Sequence, residues 1–230
     1  MLVNCGMKIT TVCTFALLTG LLVNSAKAQQ PAIYQRKGYT LTFTNNDATL
    51  DTGLQKQLVE TFFVVYPKLA KTFNAKTLKT VAFVVDTAYK GVAATSDGRV
   101  VYSPKWFHQH PQDIDVVTHE VMHIVQDYGE SEGPGWLTEG IADYVRSQFG
   151  VANEGAKWAL TDLKPGQHYT NSYRTTARFL LWIEKKQKKG FVKEMDKQLR
   201  AHTYTANSWK QQTGKTVDEL WKAYTENPAV

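Results

Sequence analysis

Residues 119–123 read His-Glu-Val-Met-His. On a helix, two histidines four positions apart stack on one face, one turn from each other, and can reach a single ion. The flanking residues agree. Ile114, Val117, Val121, Ile124 and Val125 form an apolar stripe at helical spacing, which predicts a helix over Asp113–Tyr128. Such a helix buries one side and offers His119 and His123 from another to a single ion. Glu120 sits one step around, displaced from ligation but close to a water on that ion. Imidazole ligands with a neighbouring general base fit Zn2+, which takes nitrogen and carboxylate ligands in a tetrahedral shell with one position open.

A hydrolytic zinc site needs a third protein ligand. Asp127 continues the four-residue series, but the helix climbs about 12 Å from His119 to Asp127, too far for one ion. A continuation with Gly three residues after the second His, and His or Asp three further on, is absent: those positions hold Gln126 and Gly129. The better source is Trp136-Leu137-Thr138-Glu139-Gly140-Ile141-Ala142-Asp143. Glu139 and Asp143 share a face of a second predicted helix, and two like charges at that spacing call for a cation or a donor nearby. Glu139 is assigned as third ligand. Asp143 is assigned to accept a hydrogen bond from the far nitrogen of a liganding histidine. Gly140 and Ala142 are small enough to let another segment approach beside the site.

The remaining composition narrows the setting. Lys plus Arg is 27 and Asp plus Glu is 21, a charge of +6, well short of a nucleic-acid-binding tail. An apolar run from Ile9 to Val23 follows Lys8 and precedes Ala26-Lys27-Ala28, the pattern of a cleaved secretory signal over residues 1–28. The run is shorter than the roughly 20 residues that span a bilayer, so stable membrane insertion after cleavage is not expected. Cleavage removes Lys8 and Lys27 and no acidic residue, lowering the charge from +6 to +4. It also removes both cysteines, Cys5 and Cys13. An exported domain without disulfides must rely on packing, helped by a metal.

Residues 29–230 read as one domain. Tyr39–Thr44 alternates as a half-buried strand, and Lys79–Asp86 is a second strand. Gly91–Thr95 and Arg99–Ser103 flank Asp97-Gly98, a hairpin signal. Asp51–Phe73 has helical spacing, with Asp51 as N-cap and Pro67 predicting a kink or early end. Helices are expected at Pro104–His108, Asp113–Tyr128, Trp136–Phe149, Asn171–Gln187, Phe191–His202, Asn207–Gln212 and Val217–Thr225. Strands first and helices second predict an α+β fold: a small N-terminal sheet with a hairpin, then a mostly helical C-terminal half. The tryptophans read as core and rim aromatics rather than a base-stacking platform.

The segments HEVMHIVQ (119–126), LTEGIADYVR (137–146), NSYRTTARFLL (171–181) and GKTVDELWKAY (214–224) resemble the basic secretory protein family, zinc peptidases of plants and bacteria. That resemblance implies a zincin-like, gluzincin-type domain with two His and a downstream Glu on zinc, and a peptide or protein substrate. The expected reaction is peptide hydrolysis with Glu120 as general base. Tyr173, at the predicted start of a helix in a matching segment, is the first choice for a neutral donor to the carbonyl oxygen; His168, Tyr169 and Arg174 are weaker candidates. The hairpin can offer an edge strand to an extended peptide. Two other functions compete: a non-catalytic, zinc-stabilised module binding peptide or glycan on the same scaffold, and a basic protein adhering to anionic polymers, for which +4 is a small charge.

Overall fold

Tyr39–Thr44 lies within a strand in the computed structural model, which describes residues 30–129 and 133–230. The expected signal segment and both cysteines lie outside the described residues. Five strands form one sheet: β1 (Ala32–Arg36), β2 (Tyr39–Asn45), β3 (Thr80–Val85), β4 (Ala93–Ser96) and β5 (Arg99–Tyr102), in the order β1-β2-β3-β5-β4. The three central strands run parallel, and β1 and β4 are antiparallel edges. Register puts the apolar set on one side: Leu41 faces Val81, Phe43 faces Phe83, Phe83 faces Val100, and Val85 faces Tyr102. All of these are buried. A slip of one residue would turn the whole set toward solvent, so the pattern fixes the pairing.

The first helix, α1 (Thr52–Thr72), connects β2 to β3. Asp51 caps it by accepting from Leu54 N at 2.7 Å. The helix does not end early at Pro67; it continues to Thr72. Proline in a helix costs about 3 kcal/mol. Phe62, Val65, Tyr66 and Leu69 around it are fully buried, and burial of each such side chain returns about 1.5–3 kcal/mol. The Phe62 ring meets Phe83 edge-on at 5.6 Å, joining helix and sheet.

The helical half comprises α2 (Pro104–Gln109), α3 (Val116–Gln126), α4 (Gly135–Phe149), α5 (Tyr173–Lys186), α6 (Phe191–Arg200), α7 (Ser208–Thr213) and α8 (Val217–Glu226). A 3-10 turn at Tyr169–Asn171 precedes α5. Helix α3 is shorter than the expected Asp113–Tyr128. The Asp113 carboxylate takes Arg146 and Trp106, and Asp115 takes Thr118 Oγ1 and the backbone N–H groups of Val151 and Ala152. Asp113 thus ties α2 and α4 together and Asp115 clamps the segment after α4, instead of extending the helix. At the other end Asp127 turns left-handed, with φ 47°.

The C-terminal carbonyls of α3 are satisfied by long-range donors. Thr77 Oγ1 reaches Ile124 O, Asn74 Nδ2 reaches Val125 O, and Arg200 Nη1 reaches both Val125 O and Gln126 O. Buried helix ends require such partners. The helix carrying His119 and His123 is thereby held at both ends.

Helices α4 and α5 pack closely at Gly140. A Cβ on Gly140 would fall inside the Thr176 side chain, whose hydroxyl is tied to Tyr169 O at 2.5 Å. Among the described residues no helix is long and apolar enough to cross a membrane. Gly140→Ala gains helix propensity of about 1 kcal/mol yet should lose about 1–3 kcal/mol through overpacking. Thermal melts should therefore show a net loss of stability, and a raised melting temperature would contradict this packing.

Candidate active site

Helix α3 supplies His119 and His123, one turn apart, and α4 supplies Glu139 and Asp143. Their placement follows from the packing of the two apolar faces: Val117, Val121, Leu137 and Ile141 are all fully buried. His119 Nε2 lies 3.2 Å from His123 Nε2 and 3.2 Å from Glu139 Oε2, and His123 Nε2 lies 3.6 Å from Glu139 Oε2. Ligand atoms bonded at about 2.0–2.1 Å to a tetrahedral ion sit about 3.3 Å apart. Two imidazoles and a carboxylate at this spacing therefore fit zinc, and these three residues form the group able to hold a metal among the described residues.

Hydrogen bonds orient both rings. The His119 Nδ1 faces Asp143 Oδ1 at 2.7 Å, and the His123 Nδ1 faces Gln126 Oε1 at 2.6 Å. Gln126 Nε2 donates to Thr138 O at 2.9 Å, which sets its amide so that the oxygen faces His123. Both rings are thereby oriented through Nδ1, which turns each Nε2 toward Glu139. The cluster is electronegative. Burial opposes a charge on His119, but hydrogen bonds to Asp143 and Glu139 outweigh it and raise the pKa to about 10. Burial raises the Glu139 pKa, and its hydrogen bonds to His119 and His123 override that and lower it.

Glu120 is buried beside the cluster. Thr95 Oγ1, on the edge strand β4, lies 2.6 Å from Glu120 Oε2 and 3.1 Å from Glu120 O. One carboxylate oxygen is pinned and the other is left for chemistry. Tyr173 lies across the site. Its ring stacks on His119 with centroids 6.1 Å apart, and it is 54% exposed. The negative charge of Glu139 is the main cause of its raised pKa, with burial second, so the phenol keeps its proton and can donate. Ser172 and Tyr173 both have positive φ, 67° and 48°. Strain of about 1–3 kcal/mol per residue is characteristic of functional sites. Thr95, His119, Glu120, His123, Glu139, Asp143 and Tyr173 line one cleft of about 1240 Å3, walled by β4 on one side and by α3, α4 and the start of α5 on the other.

His119, Glu120, His123, Glu139, Asp143 and Tyr173 are thus brought together. Asp127 lies past the end of α3, outside the ligand group. His168 and Tyr169 are occupied elsewhere, His168 with Thr170 and Tyr169 with Asp218. Two residues were missed from sequence. Gln126 carried a readable signal, being three residues from His123 on the same helix. Thr95 carried none, because its partner is 25 residues away on another element.

The fold is that of zinc metallopeptidases. An M1 zinc metallopeptidase from Deinococcus radiodurans superposes with a TM-score of 0.53 at 13% identity, covering 87% of this chain and 52% of that one. A mutant of that enzyme, bound to a Tyr-Ser-Ala substrate, gives a TM-score of 0.50 at 13% identity with the same coverage. The chain thus spans about half the length of these enzymes. No curated protein matches it. A family model described as peptidase of plants and bacteria matches residues 30–224, and the chain belongs to that basic secretory protein family.

Replacing one ligand at a time tests the geometry. Glu139→Ala should weaken zinc binding strongly, and Asp143→Ala by about 10–100-fold through loss of ring orientation. Asp127→Ala should leave it unchanged in a chelator competition titration. Strong dependence on Asp127 would contradict the assignment.

Proposed function

We propose that this chain is a zinc-dependent peptidase, exported from the cytoplasm, with His119, His123 and Glu139 as metal ligands, Glu120 as general base and Tyr173 as the donor to the carbonyl oxygen. The convergence of the two Nε2 atoms and Glu139 Oε2 at 3.2–3.6 Å, beside a buried Glu120 in an open cleft, carries this reading. Family membership and the fold support peptide chemistry; the apolar run and Ala-Lys-Ala at 26–28 support export.

Bound zinc would supply a Lewis acid and a water of lowered pKa. The chain supplies the rest. Glu120, with one oxygen held by Thr95, uses the other to take a proton from the attacking water. It then hands that proton to the leaving amine, so each turnover returns the carboxylate to its starting state. Tyr173 stands over His119 as an uncharged donor toward the oxygen on which negative charge develops. The substrate backbone runs along β4, whose outer edge has no strand partner among the described residues. Backbone pairing there would hold the scissile bond over the ligand cluster.

An intact base beside an open position favours catalysis over the competing binding module. Glu120→Gln should retain one equivalent of zinc and lose cleavage by about 10²–10⁴-fold. Tyr173→Phe should lower kcat by about 10²-fold with KM little changed. Equal cleavage by wild type and Glu120→Gln would overturn the mechanism. Stoichiometric zinc with no cleavage of a broad peptide library would favour the binding module.

A further inference from the structure

We propose that the end of the cleft lined by Trp158 and Arg174 is a carboxylate subsite, so that the preferred substrate carries an acidic side chain or a free C-terminal carboxylate there. The inference rests on the reading above for what enters the cleft. The cleft does not stop at the metal ligands; it continues past Arg146 to Trp158 and Arg174. An adjoining hollow of about 410 Å3 shares Trp158 and Arg174 and adds Lys157.

The charges in this region sort themselves by partner. Asp143 and Glu139 face His119, and Glu120 faces Thr95. Buried Arg146 is ion-paired with Asp113 and hydrogen-bonded to Asn153 Oδ1. Its guanidinium lies 4.2 Å over the Trp158 ring and fixes that indole as a wall. Arg174 is different. It lies 5.9 Å from the same ring and has no carboxylate partner among the described residues. It is the one such lysine or arginine lining the main cleft among those residues.

Helix electrostatics do not favour Arg174 at its position. It sits in the first turn of α5, where a positive charge opposes the helix dipole by about 0.3–1 kcal/mol. Its neighbour Tyr173 reaches over His119 while Arg174 reaches over Trp158. Consecutive residues thus serve the reacting centre and the far wall. Arg174 is exposed beside the half-buried Trp158, and a guanidinium fork matches a carboxylate by two parallel hydrogen bonds. Lys157 in the adjoining hollow adds to the same preference.

The test uses zinc-loaded protein. In a Glu120→Gln background, calorimetry compares blocked alanine hexapeptides bearing a single Glu or Gln at each position in turn, together with a hexa-alanine peptide as free acid and as C-terminal amide. A carboxylate should tighten binding about fivefold to tenfold in at least one of these pairs. The pair that responds distinguishes a side-chain from a terminal carboxylate. Arg174→Gln should equalise the pair, and Arg174→Glu should reverse it, so that the uncharged member binds more tightly. Wild-type kcat/KM, read through KM, should follow the same order. No discrimination, or discrimination that survives Arg174→Gln, would overturn the subsite. Cleavage without preference would sink the subsite and leave the peptidase reading standing. Arg174-dependent binding without cleavage would do the opposite.

Discussion

The Glu139 carboxylate facing two imidazoles is the contact on which the rest of this structure depends. It joins α4 to α3 by pairing with His119 and His123. Burial raises the energy of every charge in the cluster, and the compensation comes from mutual pairing. Asp143 and Gln126 complete the arrangement by facing the Nδ1 atoms of His119 and His123. The orientations of the two rings are therefore fixed by Asp143 and Gln126.

Around this cluster the fold spends polar groups on holding α3. Arg200 reaches across to Val125 O, Gln126 O and Phe73 O while paired with the fully buried Asp196. Tyr128 adds a hydrogen bond to the same aspartate. Buried ion pairs are weak evidence for stability, since desolvation consumes much of their Coulomb energy. Here their geometry points to placement: they fix the end of the helix that carries both histidines. The sheet contributes through its edge strand, where Thr95 joins β4 to Glu120. One short strand thus walls the cleft and holds the Glu120 carboxylate.

Much of this was legible in sequence because it is local. Histidines at i and i+4, the Glu139–Asp143 pair, the Asp97-Gly98 turn and the alternation in β2 each carry their geometry within a few residues. What escaped was long-range or exposed. β1 shows Ala-Ile-Tyr-Gln-Arg with only Tyr34 half-buried, so no alternation marks it; the sign was the Lys37-Gly38 turn, where both φ values are positive. The shortening of α3 depends on Asp113 and Asp115 finding partners over 30 residues away. Pro67 misled because burial on either side outweighs one missing hydrogen bond. Thr95 and the Arg146–Trp158 stack are products of tertiary packing and leave no periodic trace.

The central claim is that one zinc ion bridges α3 and α4 through these three side chains. Anomalous diffraction at the zinc edge, from crystals of the zinc-loaded protein, tests it most directly. The account predicts one strong peak at about 2.0–2.2 Å from His119 Nε2, His123 Nε2 and a Glu139 oxygen. A peak coordinated by Asp127, or one that leaves Glu139 unbound, would contradict it.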